Sequence, residues 1–189
     1  MNELIKFFID NQNEAIALSA TASAFIAIFA FFVSMFSLFI SYRVLKTQQQ
    51  HNKLSVTPIA DATVADYEDC LCVKIRNNGS GPLIVIDLHV GDGARTTKRV
   101  LDWMPDLPAN YHWSTFAGNI KSRSILPGHE IILIQLNGDC ENKVFRKIRD
   151  ECRYNLSKLT LNLEYEDIYK TKMKPYRKKL DWFSRNILK

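Results

Sequence analysis

One uncharged run near the N-terminus constrains this chain more than any other feature of its sequence. From Ala15 to Tyr42 there are 28 consecutive residues without a charged side chain, bounded by Glu14 and Arg43. A hydrocarbon core about 30 Å thick needs roughly 20 helical residues, so the run is long enough to cross a bilayer with some tilt. A secretory signal peptide has a basic start and a shorter apolar stretch. The run therefore predicts a transmembrane helix over residues 15–42.

The charges on either side of the run predict its orientation. Residues 1–14 carry three acids and one Lys, whereas three basic residues follow the run with no acid before Asp61: Arg43, Lys46 and Lys53. Positive charge close to one end of a span keeps that end in the cytoplasm. We therefore expect a short extracytoplasmic N-terminus over residues 1–14, a single-pass helix in the cell inner membrane and a cytosolic remainder. The cysteines follow no disulfide-scaffold spacing, as expected of cytosolic thiols: Cys70, Cys72, Cys140 and Cys152.

The predicted spanning helix has one face of small residues. They recur at spacings of three and four, which places them on the same side of a helix: Ser19, Ser23, Ala27, Ala30, Ser34, Ser37 and Ser41. In lipid, helices associate where small residues let their backbones approach and where hydroxyls can bond across. The face predicts a homo-oligomer formed through the spanning helix. The alternative is a chance register, since Ser and Ala are common in spanning helices.

The hydrophobic period changes after the helix. Residues 43–53 (RVLKTQQQHNK) are polar and helix-favouring, and they predict a juxtamembrane helical stalk. Residues 54–180 contain about seven short alternating runs, separated by turn residues and interrupted by one helical segment. This pattern predicts a mainly-β cytosolic domain, an antiparallel immunoglobulin-like sandwich with one short helical crossover.

Single residues within this domain carry four local predictions. We expect the first strand over residues 54–59 and the last strand over residues 173–180. Gly79 and Gly81 permit positive φ in the predicted turn between the second and third strands. Asp139 is expected to cap the short helix.

The positive charge of the predicted cytosolic part is concentrated at its end. Residues 43–169 carry 16 basic and 16 acidic side chains, whereas residues 170–189 carry eight basic and one acidic. We interpret seven of these cations as an anionic-lipid or phosphate contact: Lys170, Lys172, Lys174, Arg177, Lys178, Lys179 and Arg185. The alternative is a solvated last strand followed by a frayed tail.

The two kinds of contact would use different apolar partners. Lipid contact predicts a basic amphipathic tail over residues 181–189, with apolar side chains from Leu180, Trp182, Phe183, Ile187 and Leu188. Contact with phosphates, in RNA or a cyclic oligonucleotide, predicts base stacking by Tyr169, Tyr176 or Trp182.

No spacing of residues predicts catalysis or a metal centre. The four histidines are scattered at positions 51, 89, 112 and 129, and no Ser or Cys lies beside a base at a recognised spacing. The cysteines match no familiar zinc spacing. The Gly-rich segments 77–81 and 91–94 do not open helices, so they do not resemble phosphate-binding loops. We therefore expect a protein that is not an enzyme and that needs no cofactor or metal.

Three turn motifs carry a resemblance to a group of bacterial membrane proteins. Asn78-Gly-Ser-Gly-Pro82 lies between two predicted strands, Leu126-Pro-Gly128 precedes another, and Tyr165-Glu-Asp167 precedes the final hairpin. This order resembles small one-span proteins with a cytosolic immunoglobulin-like β-sandwich. Proteins of this build are similar to the membrane effectors of antiphage defence systems, including retron-associated transmembrane proteins and membrane effectors of type III CRISPR or cyclic-nucleotide signalling.

The resemblance implies a function in broad terms. The chain would be a non-enzymatic inner-membrane effector, a toxin of an abortive-infection system. It would perturb the membrane through its spanning helices when the cytosolic domain receives a signal or loses a restraining partner. Its partners would be membrane lipids and a ribonucleoprotein or cyclic-nucleotide signal. The alternative is a constitutive membrane adaptor that tethers a cytosolic protein or nucleic-acid complex.

Overall fold

The structure, a computed structural model, describes Ile5, Lys6 and residues 12–186. The chain divides into two compact units, residues 1–52 and residues 53–189. The first unit is helical in its described part, and the second contains all of the β-strands.

Helix α1 (Gln12–Ser55) is a single helix of 44 residues without a buried side chain. It contains neither Gly nor Pro, the two residues that most weaken a helix interior. The helix is long and apolar enough to span a membrane, as predicted for residues 15–42. It also includes residues 43–53, so the predicted stalk is helical and continuous with the apolar segment.

The second unit is built from two antiparallel sheets and one further helix, α2 (Lys143–Ser157). Nine strands follow one another in its described part: β1 (Ala60–Asp66), β2 (Cys70–Asn77), β3 (Leu83–Gly91), β4 (Thr96–Thr97), β5 (Thr115–Phe116), β6 (Ser124–Ile125), β7 (Glu130–Asn137), β8 (Thr160–Glu166) and β9 (Tyr176–Lys179). The first sheet has the order β1-β2-β7-β5, and the second has the order β4-β3-β8-β9, with β6 also paired to β3. Two short 3₁₀-helices complete the unit: Val100–Trp103 and Asp181–Asn186.

Both sheets and α2 contribute to one hydrophobic core. Leu71 of β2, Leu161 of β8 and Phe145 of α2 all belong to it, and each is at most 1% exposed. Burying one such side chain contributes about 1.5–3 kcal/mol relative to leaving it in water. Helix α2 follows the last long strand of the first sheet and precedes β8 of the second, which confirms the predicted helical crossover.

The predicted first strand at residues 54–59 is wrong. Helix α1 continues to Ser55, and β1 begins only at Ala60. The residues between them lie against the β2–β3 turn, where the Ser80 N–H donates to the Thr57 carbonyl (3.2 Å). These contacts hold the segment without pairing it into a sheet.

The two turn glycines are needed for space and not for positive φ. The described glycines with positive φ are Gly93 and Gly128, so Gly79 and Gly81 do not use the positive φ that a glycine permits. A Cβ at Gly81 would lie 1.8 Å from the Val56 carbonyl oxygen. Glycine therefore permits the segment after α1 to approach the turn closely.

Two predicted element boundaries and the number of strands also differ. Asn142, and not Asp139, caps α2, because its side-chain oxygen accepts from the Val144 N–H at 2.9 Å. Asp139 instead accepts from the Glu141 N–H in the preceding turn. The last strand is limited to β9. Three strands have only two residues each, β4, β5 and β6, and the observed number in the described part of the chain is nine where about seven were predicted.

The buried side chain of Asn77 joins three segments of the domain. Its amide donates to the Gly81 carbonyl (2.7 Å) and to the Ile125 carbonyl (2.9 Å). Its oxygen accepts from the Ile59 N–H (3.2 Å) and the Gly79 N–H (2.9 Å). Asn77 is fully buried, so these four bonds replace all of its contacts with water.

The backbone of Asn77 brings two of the sequence motifs together. Its carbonyl accepts from the Gly128 N–H (2.8 Å), and its N–H donates to the His129 carbonyl (3.1 Å). The turn after β2 and the Leu126-Pro-Gly128 turn before β7 are therefore neighbours. Two separate turn signals in the sequence form one junction in the fold.

Two buried arginines attach α2 to the β1–β2 hairpin. The Arg153 Nε lies 2.7 Å from Asp66 Oδ1, and these side chains are 3% and 0% exposed. Arg149, 6% exposed, donates to the Glu68 carbonyl oxygen at 2.7 Å. Asp150 bridges the two guanidinium groups from the helix itself. Helix α2 is thus held by one buried ion pair and by the hydrogen bond from Arg149, as well as by its apolar stripe.

Candidate ligand-binding cleft and basic loop

A polar cleft of about 830 Å³ lies on the second sheet. Strands β3, β8 and β9 contribute half of its lining, with further residues mainly from the turns that follow β3 and α2. Pockets of this size bind small organic molecules in many proteins. The cleft is therefore the candidate ligand site of the β-rich domain.

Strand alternation explains why polar residues line the cleft. On β3 and β8, the buried Leu88, Val90, Leu161 and Leu163 alternate with less buried residues that include His89 and Asn162. Successive side chains of a strand point to opposite faces. In the observed register, His89 pairs with Asn162, and Asn162 pairs with Arg177. One row of polar side chains therefore crosses three strands.

A second row of the same register lies beside the first. Gly91 pairs with Thr160, and Thr160 pairs with Lys179. Arg177 and Lys179 are two residues apart on β9, so they share the face that carries the cleft. Among the described residues, neither side chain has a hydrogen-bond or ion-pair partner. Both cations are thus available to an anionic ligand.

Two other charged groups of the cleft, Lys158 and Asp92, have contacts within the protein. The Lys158 ammonium lies 3.6 Å from the centre of the Tyr154 ring, and its hydrogen bond lowers the pKa of the Tyr154 hydroxyl. Asp92 accepts from the Ala94 and Arg95 N–H groups at 2.9 Å each, which lowers the pKa of its carboxyl group. Asp92 therefore orders the turn after β3, which forms one end of the cleft.

Two carboxylates lie close to the imidazole of His89. Its Nε2 is 3.7 Å from Asp87 Oδ2 and 3.9 Å from Glu164 Oε1. Asp87 also accepts from the Lys98 ammonium, and this hydrogen bond is the main cause of its lowered pKa. The cleft thus has cations on β9. On β3 and β8 it has side chains that can donate hydrogen bonds to a polar ligand or accept them from it.

The structure separates the cations that the sequence groups as one contact. Arg177 and Lys179 line the cleft, whereas Lys178 has the opposite orientation on β9 and is half-buried. The Arg185 guanidinium stacks over the Trp182 ring at 3.4 Å. The remaining three belong to the β8–β9 connection: Lys170, Lys172 and Lys174.

That connection forms a basic loop over residues 167–175. The buried Asp167 orders it, because its carboxylate accepts from the Tyr169 and Thr171 N–H groups at 2.8 Å each. Ile168 is 45% exposed and Tyr169 is 49% exposed at this position. Exposed apolar side chains among lysines suit contact with an anionic membrane surface.

The predicted amphipathic tail is wrong in two of its apolar residues. Leu180 and Phe183 are fully buried in the domain core, so neither can insert into a membrane while the domain is folded. Trp182 is 48% exposed. Ile187 and Leu188, which complete the predicted tail, lie outside the described residues.

Tyr176 is not free to stack on a base. Its hydroxyl donates to Asp61 Oδ1 (3.0 Å) and accepts from the Ala62 N–H (3.1 Å), which joins β9 to β1. Burial is the main cause of the raised pKa of this hydroxyl. Of the three aromatic residues predicted to stack, Tyr169 and Trp182 remain exposed.

All seven residues of the small-residue face lie on α1 and are exposed. Their hydroxyls bond to the helix backbone where contacts are observed: Ser23 donates to the Ser19 carbonyl (2.8 Å), and Ser41 donates to the Ser37 carbonyl (2.9 Å). The Ser19, Ser23 and Ser41 hydroxyls therefore already have acceptors within the helix.

The cysteines are free thiols in different environments. Cys72 and Cys152 are buried, and burial raises their pKa values to about 11 and about 12. Cys70 and Cys140 are half-buried. Among the described residues, no group of three or more His, Cys, Asp or Glu side chains is placed to hold a metal ion.

We predict that alkylation distinguishes the two kinds of thiol. A thiol with a pKa near 11 is ionised to only about 0.1% at pH 8, and the thiolate is the reactive form. Iodoacetamide should therefore modify Cys140 in the folded protein and leave Cys72 and Cys152 unmodified until urea is added. Mass spectrometry of peptides checks this, and rapid native modification of Cys152 would contradict the fold.

Sequence reasoning identified Arg177 and Lys179 but did not place them in a cleft with Lys158, Asn162 and Glu164. The sequence does contain one indication of the cleft. Buried and polar residues alternate along β8, which puts Asn162 and Glu164 on the polar face of the strand. The sequence alone does not show that β8 pairs with β9 on one side and with β3 on the other. That strand order creates the site.

Comparison with known proteins does not identify a family for this chain. No protein-family model matches the chain, and no curated protein matches its sequence. The function must therefore be argued from the geometry of α1, the cleft and the basic loop.

Proposed function

We propose that this protein is a non-enzymatic membrane effector whose spanning helices rearrange when its β-rich domain receives a signal. The observation that carries the proposal is the exposed helix α1, with small residues on one face and phenylalanines on the other. The rearranged helices would perturb the inner membrane, as in abortive infection, an antiphage defence. Loss of a restraining partner would have the same effect as a signal.

The two faces of α1 differ in what they offer to a neighbouring helix. Phe25, Phe29, Phe32, Phe36 and Phe39 recur at spacings of four and three, two positions away from the small-residue face. Two positions correspond to about 200° around an α-helix, so the phenylalanines lie opposite the small residues. Helices in lipid pack closely through small residues, which leaves the phenylalanine face for lipid.

Contacts within the β-rich domain connect the cleft with the segment that follows α1, and this supports the proposed response to a signal. Residues 56–59 directly follow α1, and the Ile59 carbonyl accepts from the Asn78 N–H (2.8 Å) in the turn that leads into β3. Strand β3 then runs to the cleft, where His89 and Gly91 are part of the lining. A ligand that shifts β3 would therefore act on the segment that continues into α1. Helix shifts of this kind are a common means of switching.

The proposal includes several features that follow from the sequence. The N-terminus lies outside and the domain lies in the cytosol, because the basic residues follow the span. The two sheets have an immunoglobulin-like sandwich arrangement, and the protein is a homo-oligomer through α1. The basic loop contacts anionic lipid of the inner leaflet through its lysines and Tyr169.

Replacing the small residues tests the proposal. The variant Ser23→Leu, Ala27→Leu, Ala30→Leu and Ser34→Leu keeps α1 apolar but fills the face with branched side chains. We expect this variant to insert into the membrane at the wild-type level and to lose growth inhibition on induction in bacteria, with survival at least about 100-fold higher because close packing is blocked. Membrane fractionation and colony counts after induction give the two readouts.

A matched control carries four leucines on the opposite face. Phe25→Leu, Phe29→Leu, Phe32→Leu and Phe36→Leu should retain growth inhibition, since this face meets lipid. Equal growth inhibition by both variants would contradict the proposal. Two results together would instead identify a constitutive adaptor. One is that the wild-type chain does not inhibit growth, and the other is that its function survives the exchange of residues 15–42 for an unrelated spanning helix.

A further inference from the structure

We propose that the cleft on the second sheet binds a phosphorylated polyol, such as a sugar phosphate. The lining combines two free cations with carboxylates and neutral hydrogen-bonding groups, and a ligand with one anionic end and several hydroxyls matches both. This inference deepens the proposed function, because the polyol phosphate would be the signal that the domain receives.

The phosphate end of the site is formed by β9. Arg177 and Lys179 point to the same face of this strand, and neither has a side-chain partner among residues 12–186. A guanidinium can donate two parallel hydrogen bonds to a phosphate, and the ammonium adds a second positive charge. Lys158 lies at the same cleft, although its ammonium also contacts Tyr154.

The polyol end of the site is formed by β3 and β8. His89, Asn162 and Thr160 offer hydrogen-bond donors and acceptors, and Glu164 offers a carboxylate. A ligand hydroxyl can donate to Glu164 and accept from the Asn162 amide at the same time. These groups occupy adjacent positions of the register, so they can bind neighbouring hydroxyls of one ligand.

The balance of charge argues against a bare anion as the ligand. The lining contains three basic residues, but it also contains Asp92, Glu164 and Asp181. Inorganic phosphate would gain the attraction of Arg177 and Lys179 and would also meet the nearby acids. A polyol phosphate can place a hydroxyl donor against Glu164, so its second end is attracted as well.

The lining also argues against a nucleobase. Among the described residues of the cleft, His89 carries the sole ring, and none is Phe, Tyr or Trp. Proteins commonly hold bases by stacking them on aromatic side chains. A volume of about 830 Å³ is ample for a sugar phosphate.

Calorimetric titration of the full chain in detergent micelles tests the inference. Ribose-5-phosphate should bind with a Kd at least about ten-fold lower than that of inorganic phosphate, which corresponds to one charged hydrogen bond. Adenosine monophosphate should bind no more tightly than ribose-5-phosphate. Vesicles with phosphatidylglycerol, whose headgroup is a glycerol phosphate, test whether the polyol phosphate comes from a lipid, since cleft-dependent binding there would identify the membrane as the source.

Matched variants separate the cleft from general positive charge. Arg177→Gln with Lys179→Gln should raise the Kd of ribose-5-phosphate at least about ten-fold, whereas Lys172→Gln with Lys174→Gln, which removes the same charge from the basic loop, should leave it unchanged. Glu164→Ala should weaken ribose-5-phosphate but not inorganic phosphate. Unchanged tryptophan fluorescence melting curves verify that each variant is folded.

Two outcomes would overturn the inference. One is an equal loss of binding in the cleft and loop variants, which would show unspecific attraction. The other is that neither ribose-5-phosphate nor the glycerol phosphate headgroup binds more tightly than inorganic phosphate. Because these titrations do not measure membrane damage, a negative result would remove the ligand and leave the membrane-effector proposal to its own test.

Discussion

Arg153→Met should lower the free energy of unfolding of the β-rich domain by about 3–5 kcal/mol, the usual result of removing one partner of a buried ion pair. Asp66 is 0% exposed, and its Oδ1 lies 2.7 Å from the Arg153 Nε. Without the guanidinium, its carboxylate stays in the interior and loses that partner. The methionine retains most of the apolar volume, so the loss is electrostatic and not a cavity effect.

Urea unfolding of the full chain in detergent, followed by tryptophan fluorescence, measures this effect. All three tryptophans report on the second unit: Trp103, Trp113 and Trp182. Arg146→Met on the same helix is the control, since Arg146 is exposed, and its unfolding free energy should change by less than about 0.5 kcal/mol.

A double variant identifies the cause of the loss. Asp66→Val combined with Arg153→Met removes both charges, and buried pairs replaced by apolar residues are often neutral in stability. The double variant should therefore be more stable than the sum of the two single effects by at least about 1 kcal/mol. Strict additivity would show that the pair does not hold α2 to the hairpin.

Asn77→Ala should destabilise the domain by a similar amount, about 3–5 kcal/mol. The substitution removes four hydrogen bonds at a fully buried position and leaves the Ile59 N–H, the Gly79 N–H and two carbonyls without that partner. Each buried polar group that loses its partner costs about 1–3 kcal/mol. Water that enters the small cavity would recover part of this cost.

The same urea experiment measures the Asn77 effect, with Asn78→Ala as its control. Asn78 is exposed, and its side chain makes one long contact with Asp61 at 3.4 Å. Its replacement should change the unfolding free energy by less than about 0.5 kcal/mol. Equal effects of the two substitutions would contradict the central position of Asn77 in the junction.

The sequence predicted best those elements in which the pattern of apolar residues matches the surroundings of their side chains in the fold. The apolar segment of α1 is long enough to cross a membrane. Strand β8 alternates strictly between buried and polar residues. The crossover helix α2 was predicted for the same reason, because its apolar residues form one stripe. In each case the period of the sequence is the period of the observed element.

The predictions that failed depend on distant partners. Residues 54–59 alternate like a strand, but the first two belong to α1, and Thr57 and Ile59 are held by the β2–β3 turn about 20 residues later. Leu180 and Phe183 look like membrane-facing residues of a tail, yet the core of the domain buries them. Arg153 appears as an ordinary helix cation until Asp66, 87 residues earlier, is placed beside it.

The candidate site could be predicted in its charge but not in its shape. The excess of lysine and arginine after residue 170 is plain in the sequence. The division of these cations between the cleft and the basic loop depends on where β9 begins and on which face each side chain takes. The register of the strands, and not the composition of the segment, decides which cations can contact the same ligand.

The membrane potential of bacteria that overproduce the chain tests the central claim most directly, because the proposed effector acts on the membrane itself. A voltage-sensitive dye is read after induction of the full chain, of a chain without residues 1–42 and of the four-leucine variants of α1. We expect rapid depolarisation by the full chain and by the phenylalanine-face variant, and none by the truncated chain or the small-face variant. An unchanged potential with the full chain present in the membrane, or equal depolarisation by both leucine variants, would contradict the claim.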